Sequence, residues 1–248
     1  MAERFFSPDY EERASLRDGT PILLRLIRPS DKELLLRGFQ GLSEHSRFLR
    51  FLVPKTSLSE EELRYLTEID GENHFAIGAQ LVGAEGQPAT GLGIARMIRY
   101  PHEPEVAEAA IAVADEVHGR GLGTLLFMRL VAAGCERGVR RFRCEVHASN
   151  NAMKELIAGV NPEYSLEVRS GVMSIEFDLP ALTPAESPSA PPRMTSLYRF
   201  FQLAAQRPAE WVSAVLHLLK KLPPHDSNAP MQVRGRDDDD DDDDDDEA

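Results

Sequence analysis

The chain has 248 residues, 42% of them apolar, which is enough for one sizeable core or for one core with a small appendage. Its net charge of −13 comes mostly from the acidic run Asp237–Glu247, and the charge is −2 once those eleven residues are set aside. No basic cluster indicates nucleic acid, and no apolar run predicts a membrane span or a signal peptide. Cys135 and Cys144 fit neither a disulfide framework nor a metal site, so we expect a cytoplasmic protein without a metal.

The chain divides at a proline-rich segment. Leu179–Arg193 contains five prolines and is typical of an extended linker. We therefore predict a folded body over residues 1–180, a linker over 181–194, a helical appendage over 195–222 and a disordered acidic tail over 223–248. The appendage has one apolar face, which favours packing on the body or self-association over a membrane-surface helix. The tail could attract a basic partner, screen the site or keep the chain soluble, and the sequence leaves these alternatives open.

The body alternates between strand and helix patterns. Pro21–Ile27 predicts a strand, and the capping-box patterns Ser30–Glu33 and Ser59–Glu62 predict two helices, the first toward Phe39 and the second ending near Gly71. Helical spacing from Leu122 to Ala133, with Gly138 as a stop, predicts a third helix, and Asn151–Ile157 a fourth. The remaining strands are predicted at His74–Val82, Thr90–Tyr100 (after a turn at Gly83–Gln87), Ala107–Val113, Arg141–His147 and Gly171–Leu179. This order predicts an α/β fold with a layered mixed sheet.

The stretch VHGRGLGT, Val117–Thr124, lies between a predicted strand and a predicted helix. The N–H groups of a helix's first turn are unsatisfied and attract anions, and glycines let the backbone approach a phosphate closely. The stretch lacks the Gly-Lys-Ser/Thr of a P-loop, and Leu126 stands where a dinucleotide fingerprint needs its third glycine. A phosphate ligand other than ATP or NAD is therefore favoured over a tight packing turn.

The same stretch resembles the pyrophosphate loop of the GNAT superfamily of N-acetyltransferases, whose pattern is Gln/Arg-x-x-Gly-x-Gly/Ala. His118 stands at the first position, a departure that leaves the backbone cradle intact. The resemblance covers the predicted element order over about residues 17–180. It implies that acetyl-CoA is the co-substrate and that a strand edge and the loop bind it, through Ile111, Ala112, Val113, His118, Gly119, Arg120, Gly121, Leu122, Gly123 and Thr124.

The resemblance also implies a catalytic residue. A matching Glu serves as general base in bacterial protein lysine acetyltransferases of the GNAT type, and Glu108 stands at that position, with the amide near Val113 polarising the thioester. Glu108 could instead be a solvent-facing strand residue like Glu145, and Glu105 is the fallback base. Tyr164 is a weak candidate for the general acid that many small-amine acetyltransferases carry in their last helix.

Two further segments carry the resemblance. Asn150, in an Ala-x-Asn-x-x-Met segment, is implied to contact the cofactor, and it could equally cap the next helix. Leu42–Asp70, above all Ser46–Phe51, resembles the acceptor wall of the protein lysine acetyltransferases, although Arg47 and Arg50 could equally be ordinary surface charges or salt-bridge partners. We therefore expect acetyl transfer to protein lysines, with a small-amine acetyltransferase or a catalytically idle acyl-CoA-binding regulator as alternatives.

Overall fold

The computed structural model describes residues 4–82, 89–161 and 163–180. It contains eight strands and five α-helices. In chain order they are β1 Glu11–Ser15, β2 Pro21–Leu26, α1 Lys32–Gly41, α2 Glu44–Phe51, α3 Glu60–Thr67, β3 His74–Leu81, β4 Gly91–Tyr100, β5 Glu103–Val113, α4 Leu122–Glu136, β6 Arg141–His147, α5 Asn151–Val160, β7 Tyr164–Arg169 and β8 Val172–Asp178. Short 3-10 turns at Pro29–Asp31 and Asp115–Val117 precede α1 and the glycine-rich loop.

All eight strands form one mixed sheet in the order β1-β2-β3-β4-β5-β6-β8-β7. Every neighbouring pair is antiparallel except β5 and β6, which are parallel and are connected by α4. Parallel neighbours need such a crossover, since a tight turn can join only antiparallel strands. The α/β mixed-sheet fold predicted from the sequence is confirmed.

The parallel pair separates along its length. β5 and β6 pair from Val106–Arg141 to Glu108–Arg143, although β5 continues to Val113 and β6 to His147. The gap between the diverging ends, bounded by Ala109–Val113 and Cys144–His147, is called the wedge below. It leaves one edge of β5 without a strand neighbour in the middle of the sheet.

The main core lies between α4 and one face of the sheet. The helix buries apolar side chains along most of its length, since Leu122, Leu126 and Leu130 are almost completely inaccessible. The alternating residues Phe142, Cys144 and Val146 of β6 are buried on the strand side, as predicted. Helices α1–α3 cover the opposite face and share a smaller apolar cluster around Phe39, Leu58 and Leu63.

One predicted capping box is correct and the other is wrong. The Ser59 hydroxyl accepts the Glu62 N–H at 3.2 Å, and the Glu62 carboxylate accepts the Ser59 N–H at 2.8 Å. Ser30 does not cap α1, because a 3-10 turn precedes that helix and its Asp31 carboxylate accepts the Arg28 N–H at 2.8 Å. The predicted helix exists, but it begins at Lys32.

Three elements were not predicted. β1 has one buried residue, α2 has none, and β7 is an edge strand whose residues after Tyr164 are all exposed. Such short elements depend on hydrogen bonding to a neighbour or on packing. The predicted turn at Gly83–Gln87, the linker, the helical appendage and the acidic tail lie outside the described residues.

Candidate active site

The glycine-rich loop has the backbone conformation of an anion cradle. Gly119 and Gly121 have φ values of +72° and +87°, which side-chain-bearing residues rarely adopt. Gly121 is the N-cap of α4 and supplies no side-chain cap, so the N–H groups of Leu122, Gly123 and Thr124 face the end of the helix without an intrahelical acceptor. The positive end of the α4 dipole points the same way.

Arg17 lies beside this cradle, although no sequence motif indicated it. Its side chain crosses the loop, with Nε 3.1 Å from the place where a Cβ of Gly121 would lie. The backbone N–H of Arg17 also donates to the backbone carbonyl of Arg120 at 3.1 Å. The guanidinium is exposed, and within the described residues no carboxylate lies within 4 Å of it. The cradle therefore has a cation from the turn between β1 and β2, about a hundred residues away in sequence.

His118 and Arg120 have local partners. The ring Nε2 of His118 lies 3.0 Å from the Val113 carbonyl oxygen, and because a carbonyl only accepts, Nε2–H is the donor. This contact ties the first residue of the loop to the end of β5, which is a role for a histidine where the family pattern has Gln or Arg. Arg120 forms an ion pair with Asp18 at 2.9 Å on the protein surface.

The open edge of β5 ends next to the glycine-rich loop that follows it in the chain. Ile111, Ala112 and Val113 lie on the part of β5 that pairs with β4 on one side and has no partner strand on the other. Gly123 packs against this end, since a Cβ there would lie 3.8 Å from Val113 Cγ2. An elongated ligand that pairs with this strand edge would therefore reach the loop with its far end.

Asn150 caps α5. Its side-chain oxygen accepts the N–H of Met153 at 3.1 Å, and α5 begins at the next residue, Asn151. This is the structural role that the sequence allowed. The predicted cofactor contact of Asn150 stays a prediction.

Glu108 lies at the point where β5 and β6 separate. It is half-buried, whereas Glu145 on β6 is exposed, so the two are not equivalent strand residues. In the part of the chain that the structure describes, no donor lies within hydrogen-bonding distance of the Glu108 carboxylate. The fallback Glu105 is exposed and paired with Arg140 at 3.3 Å. Tyr164 lies on β7, separated from β5 by two strands, so the structure does not bring it to this site.

Helix α2 crosses the open end of the wedge and carries the Ser46–Phe51 segment. The Ser46 hydroxyl and the Ser43 N–H both donate to the carboxylate of Asp115, which follows β5, the second of them at 2.7 Å. The Phe48 ring lies 5.0 Å from the ring of His147, the last residue of β6. α2 is thus attached to both strands that form the wedge.

The two arginines of that segment differ. Arg47 Nε donates to the Leu42 carbonyl at 3.0 Å, and its guanidinium stacks on the Phe39 ring, so it is a structural residue. Arg50 faces inward, where burial lowers its pKa while the nearby Glu108 carboxylate raises it. Arg50 is therefore not an ordinary surface charge, and it is the charged side chain of α2 that faces the candidate base.

Within residues 4–82, 89–161 and 163–180, no group of three or more His, Cys, Asp or Glu side chains is placed to hold a metal ion. No helix there is long and apolar enough to cross a membrane.

The fold, the wedge and the loop together define the class of protein. Residues 44–158, which include α2, both wedge strands and the loop, match the family model of the acetyltransferase (GNAT) family. The chain belongs to the GNAT family of acetyltransferases, as the sequence resemblance indicated.

Three individual relatives show how far the similarity extends. The chain is 32% identical to acetyltransferase Pat of Mycolicibacterium smegmatis over 168 residues, which is 66% of this chain and 48% of that protein, so it spans about half the length of Pat. It is 32% identical to acetyltransferase PA5475 of Pseudomonas aeruginosa over 142 residues, 57% of this chain and 75% of the relative. The crystal structure of the GNAT domain of S. lividans PAT superposes with a TM-score of 0.61 at 29% identity, covering 68% of this chain and 97% of that one. Both sequence relatives are named acetyltransferases, and the solved structure is a GNAT domain.

Proposed function

We propose that this protein transfers the acetyl group of acetyl-CoA to the side-chain amine of protein lysines. The observation that carries the proposal is the placement of Glu108 at the apex of the wedge, between an open strand edge that leads to an anion cradle and the helix α2. This arrangement supplies a binding surface for an elongated pyrophosphate-containing thioester and a base at its reactive end.

Binding follows from the chemistry of the cradle and the strand edge. The first-turn N–H groups of α4 and the Arg17 guanidinium would hold the pyrophosphate of coenzyme A. The free edge of Ile111–Val113 would pair with the amides of the pantetheine arm, as a neighbouring strand does elsewhere in the sheet. The thioester would then lie within the wedge, toward Glu108.

Glu108 would take the proton that the acceptor must lose. A lysine ammonium has a pKa near 10, so the amine has to be deprotonated before it can attack the thioester carbonyl carbon. The C–N bond forms, the C–S bond breaks, and the backbone amide near Val113 would stabilise the negative charge on the oxygen. The coenzyme leaves as a thiolate, a tolerable leaving group because the thiol pKa is near 8.5. No protein general acid is required at this step.

The acceptor class is favoured by α2. The segment Ser46–Phe51 resembles the protein lysine acetyltransferase domains, and α2 and β6 together form a surface beside Glu108. The similarity to Pat and to S. lividans PAT supports the same class of acceptor. A small amine is the competing acceptor.

The test is release of free thiol from acetyl-CoA by wild type and by Glu108→Gln, with a protein extract and with a panel of small amines. We expect turnover on the extract, and a loss of about a hundredfold or more in the variant, because general-base catalysis contributes factors of that order. Glu145→Gln is the matched control, since Glu145 is an exposed glutamate on the neighbouring strand.

The outcomes separate the alternatives. Turnover on amines alone would change the acceptor class and leave the acetyltransferase chemistry intact. Binding of acetyl-CoA without turnover on any acceptor would contradict the enzyme and favour an acyl-CoA-binding regulator. Equal activity of Glu108→Gln and Glu145→Gln would remove Glu108 as the base.

A further inference from the structure

A pocket lies between α1–α3 and the sheet, beside the strand edge proposed for the pantetheine arm. It encloses about 910 Å³, including the part that opens to solvent. Most of its wall is apolar, contributed by the helix side chains Leu34, Leu35, Phe39, Leu42, Phe51, Leu58 and Leu66 and by the strand residues Leu92 and Ile94. An acetyl group is much smaller than this space.

Gly38 keeps part of the pocket open. It lies on the same face of α1 as Leu34, Leu35 and Leu42, one helical turn from each neighbour in that row. A Cβ built on Gly38 would have no atom within 4 Å, although the residue lines the pocket and its backbone is helical. The space above Gly38 is therefore available to a ligand.

Two guanidiniums that line the pocket form no ion pair within the described residues. Arg50 and Arg96 both line it, and among the residues that the structure describes neither has a carboxylate oxygen within 4 Å. Arg96 donates to the Leu66 carbonyl at 2.7 Å and contacts His74, both uncharged groups. Burial, and to a smaller extent the neighbouring Arg50 charge, lower the pKa of Arg96 to about 10, which reflects mainly the cost of burying a cation.

A third arginine of the same pocket, Arg25, has its charge balanced by an ion pair. Arg25 donates through both terminal nitrogens to the two oxygens of Asp31, each at 2.7 Å. Its charge is balanced within the protein, so Arg25 has no need of a ligand. Unlike Arg25, Arg50 and Arg96 have no carboxylate in direct contact among the described residues, and Arg50 interacts with Glu108 only at longer range.

The pocket is continuous with the proposed thioester site. Ala112, Val113 and Ala114 form part of its wall, and the first two belong to the strand edge proposed for the pantetheine arm. Arg50 lies close enough to Glu108 for their charges to interact. An acyl chain longer than acetyl, attached to a thioester beside Glu108, could enter the pocket without leaving the coenzyme site.

We infer that the pocket accepts the acyl chain of a CoA thioester of a short dicarboxylic acid. Its methylenes would pack on the apolar wall, and its terminal carboxylate would lie between Arg50 and Arg96, where two charge-assisted pairings satisfy it. The inference rests on the proposed function and extends its donor class. The bond changes are those of acetyl transfer: C–N forms, C–S breaks, the amine proton passes to Glu108 and the distal carboxylate stays unchanged.

The first experiment compares three donors, acetyl-CoA, butyryl-CoA and succinyl-CoA, by equilibrium binding and by transfer to protein lysines followed by mass spectrometry. Butyryl and succinyl groups have the same chain length, so their difference isolates the carboxylate. We expect succinyl-CoA to bind and react at least about tenfold better than butyryl-CoA, because hydrogen bonds to charged groups contribute energies of that order. Equal performance, or a preference for butyryl-CoA, would overturn the inference.

The second experiment tests whether the acyl chain and its carboxylate bind in this pocket. Arg96→Met should reduce succinyl-CoA binding about tenfold or more while leaving acetyl-CoA binding unchanged. Because a buried arginine can also support the fold, Gly38→Leu is the companion variant: it projects a side chain into open space and should weaken both four-carbon donors but not acetyl-CoA. If Gly38→Leu lowers the affinity for all three donors equally, or for none, the acyl chain does not occupy this pocket.

Measuring binding as well as transfer separates failure of this inference from failure of the proposed function. If acetyl-CoA reacts and succinyl-CoA neither binds better than butyryl-CoA nor reacts, the inference fails and the acetyltransferase stands. If no donor reacts but succinyl-CoA binds more tightly than butyryl-CoA in an Arg96-dependent way, the pocket assignment holds and the enzymatic proposal fails.

Discussion

Arg17 gives the pyrophosphate cradle a charge that the glycine-rich loop itself lacks. Within the loop, Arg120 is paired with Asp18, and His118 is hydrogen-bonded to Val113. The backbone N–H groups carry only the partial charge of a helix terminus. An anion at the N-terminus of α4 would therefore meet Arg17 as the unpaired full charge of the cradle within the described residues.

Replacing Arg17 should weaken coenzyme binding. We expect Arg17→Ala to raise the dissociation constant of CoA about tenfold at low salt and less at high salt, because salt screens an exposed charge. Calorimetric titration of CoA at two salt concentrations measures both effects. Arg13→Ala is the matched control, since Arg13 is an exposed arginine on β1. Equal affinities of the two variants would exclude Arg17 from the cradle.

His74 should make the stability of the protein depend on pH. Burial, and then the charge of Arg96, lower the pKa of His74 to about 4 from 6.5, against the opposing effect of Asp70. The Tyr65 ring packs on it from α3. The folded state thus holds the neutral imidazole, and the unfolded state takes up the proton first.

Because the unfolded state binds the proton more readily, the free energy of unfolding falls as the pH is lowered. The contribution of His74 is fully present above about pH 6.5 and is lost as the pH falls from there toward 4. Urea unfolding at several pH values should show a smaller decline in the free energy of unfolding for His74→Gln than for wild type over that interval. Parallel pH curves for the two proteins would contradict the neutral state of His74.

At the residue scale, local pattern predicted the site and long-range packing completed it. The loop from His118 to Thr124 and the candidate base Glu108 belong to one continuous strand–turn–helix segment, so their spacing was visible in the sequence. Arg17 joins the loop, and Arg50 the base, only through the tertiary fold. No spacing rule connects residues so far apart, which is why Arg17 was missed and Arg50 was left undecided.

At the scale of elements, α2 depends on its anchor to β5. The helix has no fully buried residue and is eight residues long, so its own propensity gives it little stability. Asp115 accepts hydrogen bonds from Ser43, the N-cap, and from Ser46 in the first turn. These bonds outweigh burial and hold the pKa of Asp115 below its usual value. A carboxylate at a helix N-terminus is also favoured by the helix dipole.

Asp115→Asn should therefore loosen α2. The amide keeps the shape but loses the charge and one acceptor oxygen, so we expect a loss of about 1 kcal/mol in the free energy of unfolding. Transfer to protein acceptors should slow more than CoA binding weakens, because α2 is the wall that carries Arg50. Chemical denaturation and kcat/KM measure the two effects, and Glu116→Gln, an exposed neighbour, is the control. Unchanged stability and unchanged transfer would show that the anchor is dispensable.

The elements that could be predicted are those whose own residues repeat at the period of a strand or a helix. The buried alternation of β6 and the buried face of α4 repeat at the periods of strand and helix, so the sequence defined both. β7 is exposed along most of its length and is held by pairing with β8 from Tyr164–Phe177 to Arg169–Val172. Its formation depends on a neighbour that folds into the core, which local periodicity does not report.

At the scale of the molecule, the described residues form a body to which the proposed activity belongs. The last of them still contribute to it: Leu179 is buried in the main core, and the Pro180 carbonyl accepts from the Cys135 thiol at 3.4 Å. The GNAT domain of S. lividans PAT, 97% of which this chain covers, was solved as a domain. The boundary at residue 180 stays a prediction.

A chain that ends after Pro180 should keep the fold and the proposed acetyl transfer. We expect its melting temperature to lie within a few degrees of that of the full chain, because the sheet, all five described helices and the loop are retained. Loss of cooperative unfolding would instead show that residues 181–248 complete the core.

Removing only Asp237–Glu247 tests the role of the acidic run. Faster turnover at low salt, with no change at high salt, would indicate that these charges screen the site, since the interaction of exposed charges falls with ionic strength. Equal turnover at both salt concentrations would leave solubility or attraction of a basic partner as the role of the tail.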